Sequence, residues 1–181
     1  MYYSEGCDLV RDQVEALAEP DDRISEAVAA ARRSDVVFLC LGLNATLEGE
    51  EGDAANSYAG ADRKDLGLPD PQCRLLKAVC ETGTPVVLLV ASGGAVSLPY
   101  AQEHCAAILH VWYPGQMGGI AVADILFGNT VPSGKLPVTF YRNIADLPPF
   151  EDYSMKGRTY RYLTAEPLYP FGYGLSYAEF E

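Results

Sequence analysis

Four carboxylates crowd into six positions of the stretch GLNATLEGEEGDAANSYAGADRKDLGLP, as Glu48, Glu50, Glu51 and Asp53. Such a cluster admits three chemistries. Oxygen ligands in a loop can hold Ca²⁺ or Mg²⁺, but the alternating ligands, central glycine and terminal glutamate of an EF-hand loop are missing. The residues can instead be a solvated acidic loop. Or one glutamate, its proton held by an apolar or like-charged neighbour, can serve as a catalytic acid. Glu48 and Glu50 alternate while Glu51 is adjacent, so two side chains can point one way and crowd each other. Spacing alone leaves all three open.

The other chemistry-bearing residues are less specific. ASGGAV (91–96) resembles a piece of a phosphate-cradling loop, but neither a Walker A pattern nor G-x-G-x-x-G is present, and a tight strand-to-helix turn explains it as well. His104 and His110 have no Cys or Asp at ligand spacing, and His110 reads as a hydrogen-bonded core residue in a strand. No serine sits in a G-x-S-x-G elbow, which argues against a hydrolase triad. Trp112-Tyr113, at a strand end, suits either stacking on a sugar ring or filling the core.

Composition narrows the partners. The 181 residues are 49% hydrophobic and 21% charged, with a net charge of −12. That balance is globular, and the negative charge argues against nucleic acid, whose phosphates require Lys and Arg. Five cysteines (Cys7, Cys40, Cys73, Cys80, Cys105) form no C-x-x-C pair, which suggests reduced thiols and a cytoplasmic setting. No apolar run reaches the ~18–20 residues that span a bilayer, so no membrane partner is expected. MYYSEGCDLV has neither the basic start nor the apolar core of a signal peptide.

The elements that must position these residues alternate. EPDDRISEAVAAARRSD puts Ile24, Val28 and Ala31 on one helical face, with acids first and Arg32-Arg33 last, as the helix dipole favours. VVFLCLGL (36–43) is a continuous apolar run, the mark of a strand covered on both faces. LPDPQCRLLKAVCETG predicts a helix from about Asp70 that Gly83 closes, and TPVVLLVASGG a second buried strand. LPYAQEHC reads as a short helix, AAILHVWY (106–113) as a third strand, and GQMGGIAVADILFG as a helix stopped by Gly128. This order implies an α/β fold, a mostly parallel β-sheet with helices on both faces, as one domain over 1–181. Residues 129–181, rich in Pro, Gly and Tyr, read as a wrapping tail with one strand candidate, KLPVTFY. The loops after the three strands should share the carboxyl edge, where open parallel sheets bind ligands.

Several phrases, in order, resemble the C-terminal α/β-sandwich domain of glycoside hydrolase family 3 enzymes. They are LGLNATLEGE, DRKDLGLPDPQCRLLKAV, PVVLLVASGG, WYPGQMGGIAVADILFGNTVPSGKLPVTF and YPFGYGLSY. The last two are highly specific as a pair, and the resemblance covers nearly the whole chain. It implies part of a retaining, exo-acting β-glycosidase of β-xylosidase or β-glucosidase type, acting on β-linked oligosaccharides or glycosides without a cofactor. Two carboxyl groups ~5–5.5 Å apart do that chemistry. In this family the nucleophile is an Asp on a TIM-barrel domain, and the sandwich domain supplies the acid/base Glu. Its E-x-E form places that role at Glu50, with Glu48 second, and leaves Glu51 and Asp53 solvated or structuring the loop. Asp62 and Arg63 are expected to anchor the loop as an ion pair. Against the family's pattern the gap before Asp62-Arg63 is long, and the sandwich is truncated at its N-terminal strand and helix. A non-catalytic carbohydrate-binding or interaction module is the alternative from another class, and a flavodoxin-like binding domain a third.

Overall fold

The computed structural model describes residues 1–10, 21–45, 47, 48, 63 and 65–179. Three parallel strands form its sheet: β1 (Val37–Gly42), β2 (Val86–Ala91) and β3 (Ala107–His110), in the order β1-β2-β3. Val37 pairs with Val86 and Gly42 with Ala91, while Val87 pairs with Ala107 and Val90 with His110. β2 is the central strand and its side chains fill the core: Val86, Leu88 and Val90 are at most 1% exposed. Each contributes about 1.5–3 kcal/mol by burial.

β1 departs from the continuous burial its apolar run predicts. Leu39 and Leu41 are buried, but Phe38 and Cys40 beside them are exposed, so this part of the strand alternates. An apolar sequence permits burial on both faces without imposing it, because coverage depends on which element lies opposite. β3 is shorter than 106–113, ending at His110, and its side chains are only partly covered.

Helices α1 (Asp22–Ala31), α2 (Asp70–Cys80) and α3 (Pro99–His104) complete this part of the fold. α2 starts where Pro71, in the first turn, needs no amide partner and Asp70 meets the positive end of the dipole. It ends before Gly83, whose φ of 81° no β-carbon opposes. Gln72, Leu75, Leu76 and Val79 make its buried stripe, the i, i+3, i+4, i+7 spacing of a helix laid on a core. α2 contacts α1, α3 and β1. On α1, Ile24 and Ala31 are buried as the spacing predicts, and Asp21, just before the helix, pairs with Arg74 of α2 at 3.1 Å. No helix among the described residues is long and apolar enough to cross a membrane.

The chain divides into two compact units. The first comprises Met1–Arg63, Leu68–Gly93 and Leu98–Trp112; the second comprises Lys64–Gly67, Gly94–Ser97 and Tyr113–Glu181. The second holds α4 (Gly118–Leu126), a 3-10 turn at Ile144–Asp146 and α5 (Thr159–Tyr162). KLPVTFY is not a strand there. Of these residues Phe140 alone makes a β-bridge, antiparallel to Tyr169.

That bridge joins the two most specific sequence phrases. The Phe140 and Tyr169 backbones exchange hydrogen bonds of 2.9 and 3.2 Å, the Leu136 amide donates to the Tyr173 carbonyl at 2.8 Å, and the Gly172 amide donates back to Leu136 at 2.7 Å. Gly174 is a glycine for a stated reason: a β-carbon there would stand 2.3 Å from the Gly134 carbonyl oxygen. The Phe140, Tyr169 and Tyr173 rings pack in sequence, at 6.2 and 5.0 Å between centroids. SGKLPVTF and LYPFGYGLSY therefore form one paired structure.

Candidate active site

Because all three strands run parallel, the segments that follow them leave from one edge. At the end of β1, Gly42 has a φ of 151°, and a β-carbon there would lie 1.9 Å from the Ala91 carbonyl oxygen. Only glycine fits that approach. Gln72 grips this same residue from α2. Its Oε1 accepts from the Gly42 amide at 2.7 Å, and its Nε2 donates to the Gly42 carbonyl at 2.7 Å and to the Leu9 carbonyl at 2.8 Å. Gln72 is 2% exposed, so these bonds form where water does not compete.

The acidic loop departs from this fixed point. Asn44 makes a turn in which its carbonyl accepts from the Leu47 and Glu48 amides, both at 3.0 Å, and its Oδ1 accepts from Leu47 at 3.2 Å. Leu47 is buried and seats the turn. Glu48 then points back toward the strand ends. Its Oε2 accepts the Gly93 amide at 2.6 Å, a short charge-assisted bond. Its Oε1 lies 3.4 Å from an Arg63 guanidinium nitrogen, with the two side chains only 12% and 22% exposed.

Gly93 belongs to the Ser-Gly-Gly turn after β2. Ser92 is fully buried, and its Oγ is 3.0 Å from His110 Nε2 at the end of β3. The sequence reads His110 as a hydrogen-bonded core residue of a strand; the hydrogen bond and the strand are present, but the residue is only half-buried. The Trp112 and His110 rings cross at 74°, with centroids 4.3 Å apart, and the Trp112 backbone has a φ of 56°. A bulky residue seldom adopts that conformation, and such strain collects at functional sites. Trp112 is half-buried and Tyr113 is 45% exposed.

The structure thus places Glu48 in a web of partners from three separate segments. Glu50, the first candidate for the acid/base, lies outside the described residues, as do Glu51, Asp53 and Asp62. Arg63, expected to anchor the loop through Asp62, reaches Glu48 across 15 residues. Sequence reasoning did not single out Gln72, although a polar residue at the first position of an apolar stripe was a visible signal. It placed Ser92-Gly93 in a turn at the carboxyl edge of the sheet, but nothing in the local sequence marks Gly93 as the amide that holds Glu48.

An open parallel sheet flanked by helices, with a carboxylate held where its strands end, defines the class of fold as α/β. The family model described as "Glycosyl hydrolase family 3 C-terminal domain" matches residues 2–177, and the chain belongs to that family. It is 49% identical over 157 residues to a xylan 1,4-beta-xylosidase of Xylanibacter ruminicola, a match covering 86% of this chain and 18% of that protein. It is 36% identical over 173 residues to a periplasmic beta-glucosidase of Salmonella typhimurium, covering 89% and 21%. Among solved structures, a GH3 exo-beta-xylosidase in complex with a xylobiose aziridine activity-based probe superposes with a TM-score of 0.80 at 30% identity, over 98% of this chain and 22% of the other. A beta-glucosidase from Kluyveromyces marxianus in complex with glucose gives 0.73 at 33% identity, over 91% and 20%. The chain therefore spans about a fifth of the length of the relatives it matches.

Proposed function

We propose that this chain acts, within a longer enzyme, as the domain that delivers the general acid/base of a retaining exo-β-glycosidase of β-xylosidase or β-glucosidase type. One observation carries the reading: Glu48 is held at the carboxyl edge of the sheet by the Arg63 guanidinium and the Gly93 amide, two residues before Glu50. A carboxylate engaged in a charge-assisted hydrogen bond and an ion pair is suited to hold a loop, which favours Glu50 for the proton and gives Glu48 the positioning role. Glu50 protonates the departing glycosidic oxygen, and later removes a proton from the water that attacks the glycosyl-enzyme. The nucleophile is an Asp on a TIM-barrel domain of the same enzyme, the partner against which this domain works. The names of the relatives, one solved with a xylobiose-derived probe and one with glucose, support β-linked glycosides as substrates. Residues 1–181 serve this role as a single functional domain, in the cytoplasm on the cysteine pattern alone.

The test is Glu50→Gln in the full-length enzyme. Loss of the acid is expected to lower kcat/KM by about 10²–10⁴-fold on a glycoside with a poor leaving group. A dinitrophenyl glycoside, whose leaving group needs no proton, should retain most of its kcat/KM. Glu50→Ala should regain turnover with azide, which attacks the glycosyl-enzyme without base assistance. Near-wild-type hydrolysis of the poor substrate by Glu50→Gln sinks the assignment, and azide rescue at Glu48→Ala alone transfers it to Glu48.

A further inference from the structure

The Gly93 amide can hold Glu48 only if the turn after β2 is itself fixed, and the structure shows what fixes it. Val90 pairs with His110 in parallel register, so their side chains lie side by side on one face, and that face is buried at Val90. Two residues beyond Val90, Ser92 returns to the same side, fully buried, with Oγ 3.0 Å from His110 Nε2. A buried hydroxyl needs a partner, and this one sets the rotation of the residue directly before Gly93. The Trp112 ring, at 74° to the imidazole with centroids 4.3 Å apart, limits how far His110 can turn. The contacts run without interruption from β3 through the β2 turn to the β1 loop: His110, Ser92, the Gly93 amide, Glu48 and then Arg63.

We infer that Ser92 and His110 are a pair of positioning residues that aim the Gly93 amide at Glu48, and so set where the acid-bearing loop stands for proton donation. This rests on the reading of Glu50 as the acid/base. Neither residue touches substrate in this scheme. Each acts through the hydrogen bond to the other, and the register between β2 and β3 is transmitted to a loop 45 residues away in sequence.

The experiment compares Ser92→Ala, His110→Leu and His110→Gln in the full-length enzyme, on a series of aryl glycosides with leaving groups of graded acidity. Misplacing the acid should lower kcat/KM by about 10- to 100-fold on the poorest leaving groups and scarcely change it on the dinitrophenyl glycoside. The plot of log kcat/KM against leaving-group pKa therefore steepens for Ser92→Ala and His110→Leu. His110→Gln, which keeps a hydrogen-bonding group near the Nε2 position, should restore the shallow slope. A merely structural lesion would lower all substrates alike and leave the slope unchanged, and that result, or no loss at all, overturns the inference. If His110→Leu does not fold, Ser92→Ala decides alone, since it adds no bulk to the site. Failure of the two proposals can be told apart. A shallow slope for Glu50→Gln removes the acid/base reading itself, whereas a steep slope for Glu50→Gln with a shallow one for Ser92→Ala removes only the positioning pair.

Discussion

Gln72 holds Gly42 by both halves of its side-chain amide, accepting from the glycine N–H and donating to its C=O, each at 2.7 Å. A third bond, to the Leu9 carbonyl, ties the N-terminal segment to the same point. One side chain thus closes the end of β1, where the acidic loop begins, against α2.

Gln72→Leu keeps the volume and removes all three bonds, leaving an amide and two carbonyls to find new partners. The expected loss of stability is about 2–3 kcal/mol, read from denaturant unfolding of the purified protein. A change below about 0.5 kcal/mol would show that water replaces Gln72 at no cost, contrary to its 2% exposure.

The Glu48–Arg63 pair is partly shielded, unlike an ordinary surface ion pair. A double-mutant cycle of Glu48→Gln and Arg63→Met, again by denaturant unfolding, should give a coupling of about 1–2 kcal/mol. Glu48→Gln keeps an oxygen for the Gly93 amide, so the cycle isolates the charge interaction. A coupling near zero would mean that the Arg63 charge adds nothing to the hold on Glu48.

Cys80, at the end of α2, and Cys105, just after α3, bring their sulfurs within 4.0 Å. Burial, reinforced by the neighbouring Cys80, pushes the Cys105 thiol from 9.0 up to about 12, and burial raises Cys80 as well. A thiol reacts as its thiolate, so Cys105 should resist iodoacetamide at pH 8 and its labelling rate should climb steadily from pH 9 toward 12. The linked stability follows the same sign. The folded state keeps the proton that the unfolded chain releases near pH 9.0, so the contribution is complete below that pH and is lost as pH rises toward about 12. Cys105→Ala should flatten that alkaline decline. Rapid labelling of Cys105 in the native protein at pH 8, mapped by peptide mass, would contradict the burial that raises it.

The amino-acid sequence by itself determined the class of fold and the family. Apolar runs at 36–43, 86–91 and 106–113, separated by helical stripes, admit little besides a parallel α/β arrangement, because each run is long enough for a strand and too short for a helix of its own. The acidic loop was legible too, as was the hydrogen-bonded character of His110. Periodicity reports how one element faces its surroundings on average. It cannot report which atom stands opposite, so it missed the exposure of Phe38 and Cys40 and read a strand into 135–141, of which Phe140 alone forms a bridge. The tertiary structure alone decided the partners of Glu48. Arg63 and Gly93 are 15 and 45 residues away in the chain, and Gly93 meets Glu48 because β1 and β2 are neighbours in parallel register and end at one edge. Gln72 shows the same limit: its place in the stripe is written in the sequence, but its grip on Gly42 exists only once α2 is laid against β1.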